Sequence, residues 1–114
     1  MPHDFTQFHT NWRQDLSIIR EAAPESARAF GSLHASAMKE GALSTREKEL
    51  IALAIGLAQR CTGCICLHAA GAKKAGATRE QAMEAAGVAV MMQGGPAFVH
   101  FPLVIAAFDL PTPT

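Results

Sequence analysis

The chain has 114 residues, of which 49% are hydrophobic and 18% charged, and its ten basic side chains are balanced by ten acidic ones. A formal charge of zero sets up no field to attract a polyanion, so neither nucleic acid nor a membrane surface is an expected partner, and a neutral chain tends to self-associate. Ala, Leu, Ile and Val dominate, Tyr is absent and no alternating β-branched run occurs, so an all-α fold in one domain over 1–114 is expected.

Met1-Pro2-His3-Asp4-Phe5 lacks the basic start and apolar stretch of a signal peptide. The longest apolar run, around Ala97 to Phe108, is broken by His100 and Pro102. A cytoplasmic location is therefore expected, and in a reducing compartment a close cysteine pair suits redox chemistry or metal binding better than structural stapling.

Phe5, Phe8, Trp12, Leu16 and Ile19 recur at helical spacing and predict an amphipathic helix over 4–21. Pro24 opens a second helix, with Phe30, Leu33 and Ala37 as its inner face and an end near Gly41, where Lys39 would sit at the negative end of the dipole. These two helices form an N-terminal part, 1–42, ahead of a motif region, 43–97, and a last helix with tail, 98–114. Ser44-Thr45-Arg46-Glu47 reads as a capping box that starts a third helix over 45–60. Its apolar arc is Leu50, Ile51, Leu53, Ile55 and Leu57. Glu49 heads a separate stripe of small residues, Ala52 and Gly56, which predicts close approach of another helix and a partly desolvated carboxylate.

Arg60 to Gly63 is expected to break the chain because Gly63 is a poor interior helix residue, and a fourth helix should run to Ala75 with Gly76 as its cap. Thr78-Arg79-Glu80-Gln81 is a second capping box, opening a helix that stops at Gly94-Gly95. Pro96 begins the last helix, with Phe98, Phe101, Ile105 and Phe108 as its buried stripe, a kink at Pro102 and a frayed tail over 111–114.

All three cysteines and one of five histidines fall in Cys61-Thr62-Gly63-Cys64-Ile65-Cys66-Leu67-His68. On a helix, Cys61, Cys64 and His68 share a face while Cys66 lies round the other side and is expected to pack. A thiol at a helix N-terminus is drawn toward the thiolate by the dipole, and His68 one turn after Cys64 can take its proton. Cysteines at i and i+3 in a first turn also lie within disulfide range. One thiol can then attack an oxidant and the other resolve the sulfenic acid, with Cys64 as the attacking thiol and Cys61 its partner; the pattern alone also allows the reverse. The competing chemistry is a zinc site of Cys61, Cys64, His68 and Glu49. The sequence offers no second knuckle for it, so neither metal nor cofactor is expected.

From Leu43 to Ala97 the chain resembles the cysteine-containing branch of the carboxymuconolactone decarboxylase and alkylhydroperoxidase D-like family. The resemblance rests on Glu49, on Cys61-x-x-Cys64-x-x-x-His68, on Gly76-Ala77-Thr78-Arg79-Glu80-Gln81-Ala82 and on Gly94-Gly95-Pro96-Ala97. It implies a compact helical fold of six helices, assembly into trimers or hexamers, and thiol-dependent reduction of a small hydroperoxide. Glu49 and His68 would form a proton relay, Cys64 the peroxidatic thiol and Cys61 its partner. An external dithiol would reopen the disulfide, from a lipoylated or thioredoxin-like protein. The chain departs from the alkylhydroperoxidase pattern at Gly63, where that enzyme has a second relay histidine. Two other functions fit the family: a cofactor-free lactone decarboxylase or isomerase using His68 and Glu49 as acid and base, and a non-catalytic redox-sensing oligomer. His34 and His100 are further histidines that neighbouring helices could bring to the site, though each reads more simply as an ordinary core or surface residue.

Overall fold

The computed structural model describes residues 5–111, and within them the chain is six helices with no strand. They are α1 (Phe5–Ala22), α2 (Pro24–Met38), α3 (Thr45–Ala58), α4 (Thr62–Lys74), α5 (Arg79–Gln93) and α6 (Gly95–Asp109). The expected signal-free start at 1–4 and most of the frayed tail lie outside the described residues. No described helix is long and apolar enough to cross a membrane.

Local signals set most boundaries. Both capping boxes form: Ser44 Oγ accepts from the Glu47 amide at 3.0 Å while Glu47 Oε1 accepts from the Ser44 amide at 2.9 Å. Thr78 and Gln81 repeat the exchange at 3.1 and 3.0 Å. Gly76, at φ +95°, ends α4 with its amide donating to Lys73 and the Ala77 amide donating to Ala72. Gly94, at φ +75°, turns the chain from α5 directly into α6.

α3 to α6 pack against one another, and the α1–α2 hairpin lies along them, α1 against α4 and α2 against α3. The core is built on Leu53 and Leu57 of α3, Ile65 and Cys66 of α4 and Val104 of α6, all fully buried. Buried alanines surround them: Ala69, Ala72, Ala82, Ala86, Ala89, Ala97 and Ala107. Side chains this small let helix backbones approach closely, which brings α3 and α4 near enough to share a site.

Four expectations are corrected. The break after α3 falls at Gln59–Cys61, and Gly63 sits inside the first turn of α4. α2 ends at Met38, and its expected inner face is exposed, with Phe30 at 66% and Leu33 at 64%. α2 packs along α1 and α3, and that stripe stays uncovered. On α6 the buried side is set by Ala97, Val104, Ala107 and Phe108, leaving Phe98 in solvent and Phe101 and Ile105 half-buried. Pro102 is accommodated within an uninterrupted helix.

Candidate active site

The turn between α3 and α4 positions the first cysteine. The Arg60 amide donates to Leu57 O and the Cys61 amide to Gly56 O, both at 2.9 Å, which closes α3 in a Schellman motif. Arg60 takes its left-handed position at φ 56°, where glycine is usual. Cys61 follows at once as the N-cap of α4, its Sγ accepting from the Cys64 amide at 3.2 Å. Cys64 is therefore in the first turn, and the two cysteines are joined as a disulfide with Cα atoms 5.2 Å apart. Both are half-buried, so the bridge lies at the surface end of the α3–α4 pair.

The small stripe of α3 does what its composition suggests. A Cβ on Gly56 would lie 3.1 Å from Cys64 Cβ, so glycine is what lets the cysteine turn seat on α3. About two turns upstream Glu49 reaches α4, and its Oε1 accepts a hydrogen bond from His68 Nδ1 at 2.7 Å. The two side chains are 24% and 13% exposed, His68 and Glu49 respectively, which shelters the pair from screening. Gly71, one turn after His68, makes room for the carboxylate: a Cβ there would sit 2.6 Å from Glu49 Cδ. The four predicted site residues thus share the α3–α4 face, with Cys64 one turn before His68 on α4.

Around this face stand residues that the sequence identified less clearly. His34 of α2 stacks near His68, with ring centroids 6.3 Å apart and planes 20° from parallel. His100 does not join; its Nδ1 donates to Pro96 O at 2.8 Å on α6. Phe8 of α1 covers Gly63, and a Cβ at that position would meet the Phe8 ring at 3.3 Å. Any larger residue there would have to displace Phe8.

Cys66 is fully buried on the opposite side of α4, and burial pushes its thiol up to about 11. Its Sγ lies 3.4 Å from His9 Nε2, and partial burial together with the Arg13 charge lowers the His9 pKa. His9 was not anticipated, yet its position one turn after Phe5 on the apolar side of α1 is the signal that would have found it. Among the described residues no group of three or more His, Cys, Asp or Glu side chains is arranged to hold a metal ion.

Similarity to known proteins agrees with this architecture. A crystal structure of an apo carboxymuconolactone decarboxylase family protein from Legionella pneumophila superposes with a TM-score of 0.89 and 38% identity, covering 92% of this chain and 94% of that one. A family member from Thermotoga maritima superposes with a TM-score of 0.79 at 23% identity, over 88% of this chain and 86% of that one, and shares the fold. In sequence, a protein of the cox locus of Paracoccus denitrificans is 42% identical over 81 residues, 71% of this chain and 73% of that protein. A protein from Cupriavidus necator is 31% identical over 100 residues, 88% of each. The model of the carboxymuconolactone decarboxylase family matches residues 24–106, which span α2 to α5 and most of α6, and the chain belongs to that family.

Proposed function

We propose that the protein is a thiol-dependent hydroperoxide reductase that cycles Cys61 and Cys64 between dithiol and disulfide, with His68 and Glu49 as its proton relay. The observation that carries the reading is a Cys-x-x-Cys pair in the first turn of α4, one turn before a histidine held by a sheltered carboxylate. The Thermotoga maritima relative is described with a suggested part in an antioxidative response, which is consistent with it.

His68 takes the Cys64 proton, and the dipole of α4 favours the thiolate so formed. That thiolate attacks the terminal oxygen of R–OOH, the O–O bond breaks, and the departing alkoxide receives the proton back from His68 as R–OH. Cys64 is left as a sulfenic acid. The Cys61 thiol condenses with it, forming the S–S bond and releasing water, so two thiols supply the two electrons. Glu49 holds the imidazole through Nδ1, leaving Nε2 for proton transfer. A dithiol carried by a lipoylated or thioredoxin-like protein then reopens the bridge by exchange.

Steady-state hydroperoxide consumption with a small dithiol as reductant tests the reading. Cys64→Ser is expected to lose turnover by at least about 100-fold, and Cys61→Ser to give a single turnover that traps a sulfenic acid on Cys64. Turnover of a lactone acid that survives loss of both cysteines but not of His68 would replace the peroxidase reading with a decarboxylase or isomerase. Oxidation that changes oligomeric state without any turnover would make the protein a redox sensor.

A further inference from the structure

We propose that His34 on α2 is a positioning residue of the dithiol site that acts through His68, reloading that imidazole with protons from solvent. The proposal rests on the dithiol cycle above, though not on the identity of the oxidant.

His68 has one nitrogen committed, since Nδ1 donates to Glu49 at 2.7 Å, so proton exchange must pass through Nε2. The imidazole is 24% exposed and the carboxylate behind it 13%, which leaves bulk water a narrow approach. His34 is exposed and near-parallel to His68, and a centroid separation of 6.3 Å is too long for a direct hydrogen bond but within reach of one bridging water. No residue of α2 is buried, so core packing does not account for His34 lying over the site. Two other ionisable groups near α4 are engaged elsewhere. His9 of α1 meets Cys66 on the far side, and Lys73 donates to Phe108 O and Leu110 O at the end of α6.

The reductive half of the cycle is where solvent protons are needed. A reductant thiolate, its proton already lost to water, attacks Cys61 Sγ; the S–S bond breaks and Cys64 leaves with the electron pair, taking a proton from His68 Nε2 as it does so. The reductant's second thiol loses its proton to water, attacks the mixed disulfide and displaces Cys61 as a thiolate, so the reductant ends as a disulfide. Two protons released to water therefore return to the two protein sulfurs: Cys61, displaced second, takes its proton from water, and the one that His68 gave to Cys64 is replaced through His34.

The oxidised protein, mixed with dithiothreitol in dilute buffer and followed by the appearance of protein thiols, tests this without any hydroperoxide. His34→Ala and His34→Gln are expected to slow reduction by about tenfold, at the low end for a proton-transfer group. Added imidazole should restore the His34→Ala rate, whereas thiazole, of similar shape but far weaker as a base, should not. His34 is exposed, so both variants should melt with the parent. Reduction at the parent rate, or a loss that imidazole fails to restore or that thiazole restores equally, would overturn the assignment. Imidazole-restored reduction in a protein that consumes no hydroperoxide would uphold His34 and sink the peroxidase reading.

Discussion

At the scale of single residues, the site depends as much on side chains that are absent as on those present. Gly71 leaves room for the Glu49 carboxylate and Gly56 for Cys64, so the Glu49–His68 pair and the disulfide each rest on a glycine facing them across the α3–α4 contact. Gly71→Ala is expected to push Glu49 off His68, lowering turnover by about 100-fold while costing about 1–3 kcal/mol in chemical denaturation. Glu49→Gln fills the same space without charge, so its loss of turnover should come with near-parental stability; a variant that kept full activity would remove Glu49 from the relay. Much of this was legible in the sequence, because Glu49 heading a small-residue stripe already predicted a close helix beside a carboxylate. His34 was legible only as one of two histidines that a neighbouring helix could bring to the site, because its proximity to His68 depends on how the α1–α2 hairpin lies, and helical periodicity carries no information about that.

At the scale of elements, the α3–α4 turn is the most costly piece of local structure. Arg60 occupies a left-handed position in order to end α3 and deliver Cys61 to the N-cap of α4. Arg60→Gly should raise stability by about 1 kcal/mol in urea unfolding, since glycine carries no penalty there. In the opposite direction, Ser44→Ala should cost about 1 kcal/mol by removing the side-chain half of the α3 capping box. The capping boxes and glycine caps place most helix ends to within a residue or two because each is a local hydrogen-bonding decision. The exception is the break before the cysteines: composition points to Gly63 as the weak point, but a Schellman turn closed by an arginine supplies it. Gly63 instead lies beneath Phe8, so a histidine introduced there would have to displace the Phe8 ring.

At the scale of the whole molecule, apolar side chains remain exposed on several helices: Phe30 and Leu33 on α2, Met91 and Met92 on α5, Phe98 and Val99 on α6. Periodicity identified the stripe on α2 as apolar but could not say what covers it. We propose that further copies of the chain cover the Phe98–Val99 patch of α6 and leave His34 open to solvent, in a trimer or hexamer; light scattering at micromolar concentration should return two or more times 12.1 kDa, and a monomer would contradict it. Cys66 makes a second global prediction. Its ordinary thiol value of 9.0 is raised to about 11 in the folded chain, so its contribution to stability is fully present below 9.0 and is lost as pH rises through about 11. Unfolding free energy should fall by about 2 to 3 kcal/mol across that window, and Cys66→Ala should flatten the slope.

The dithiol cycle itself is tested most directly by mixing fully reduced protein with one equivalent of a small alkyl hydroperoxide, counting thiols and mapping the product by peptide mass. The account predicts the loss of two thiols per chain, a Cys61–Cys64 disulfide and a Cys66 that stays reduced. An unchanged thiol count, or oxidation centred on Cys66, would contradict it.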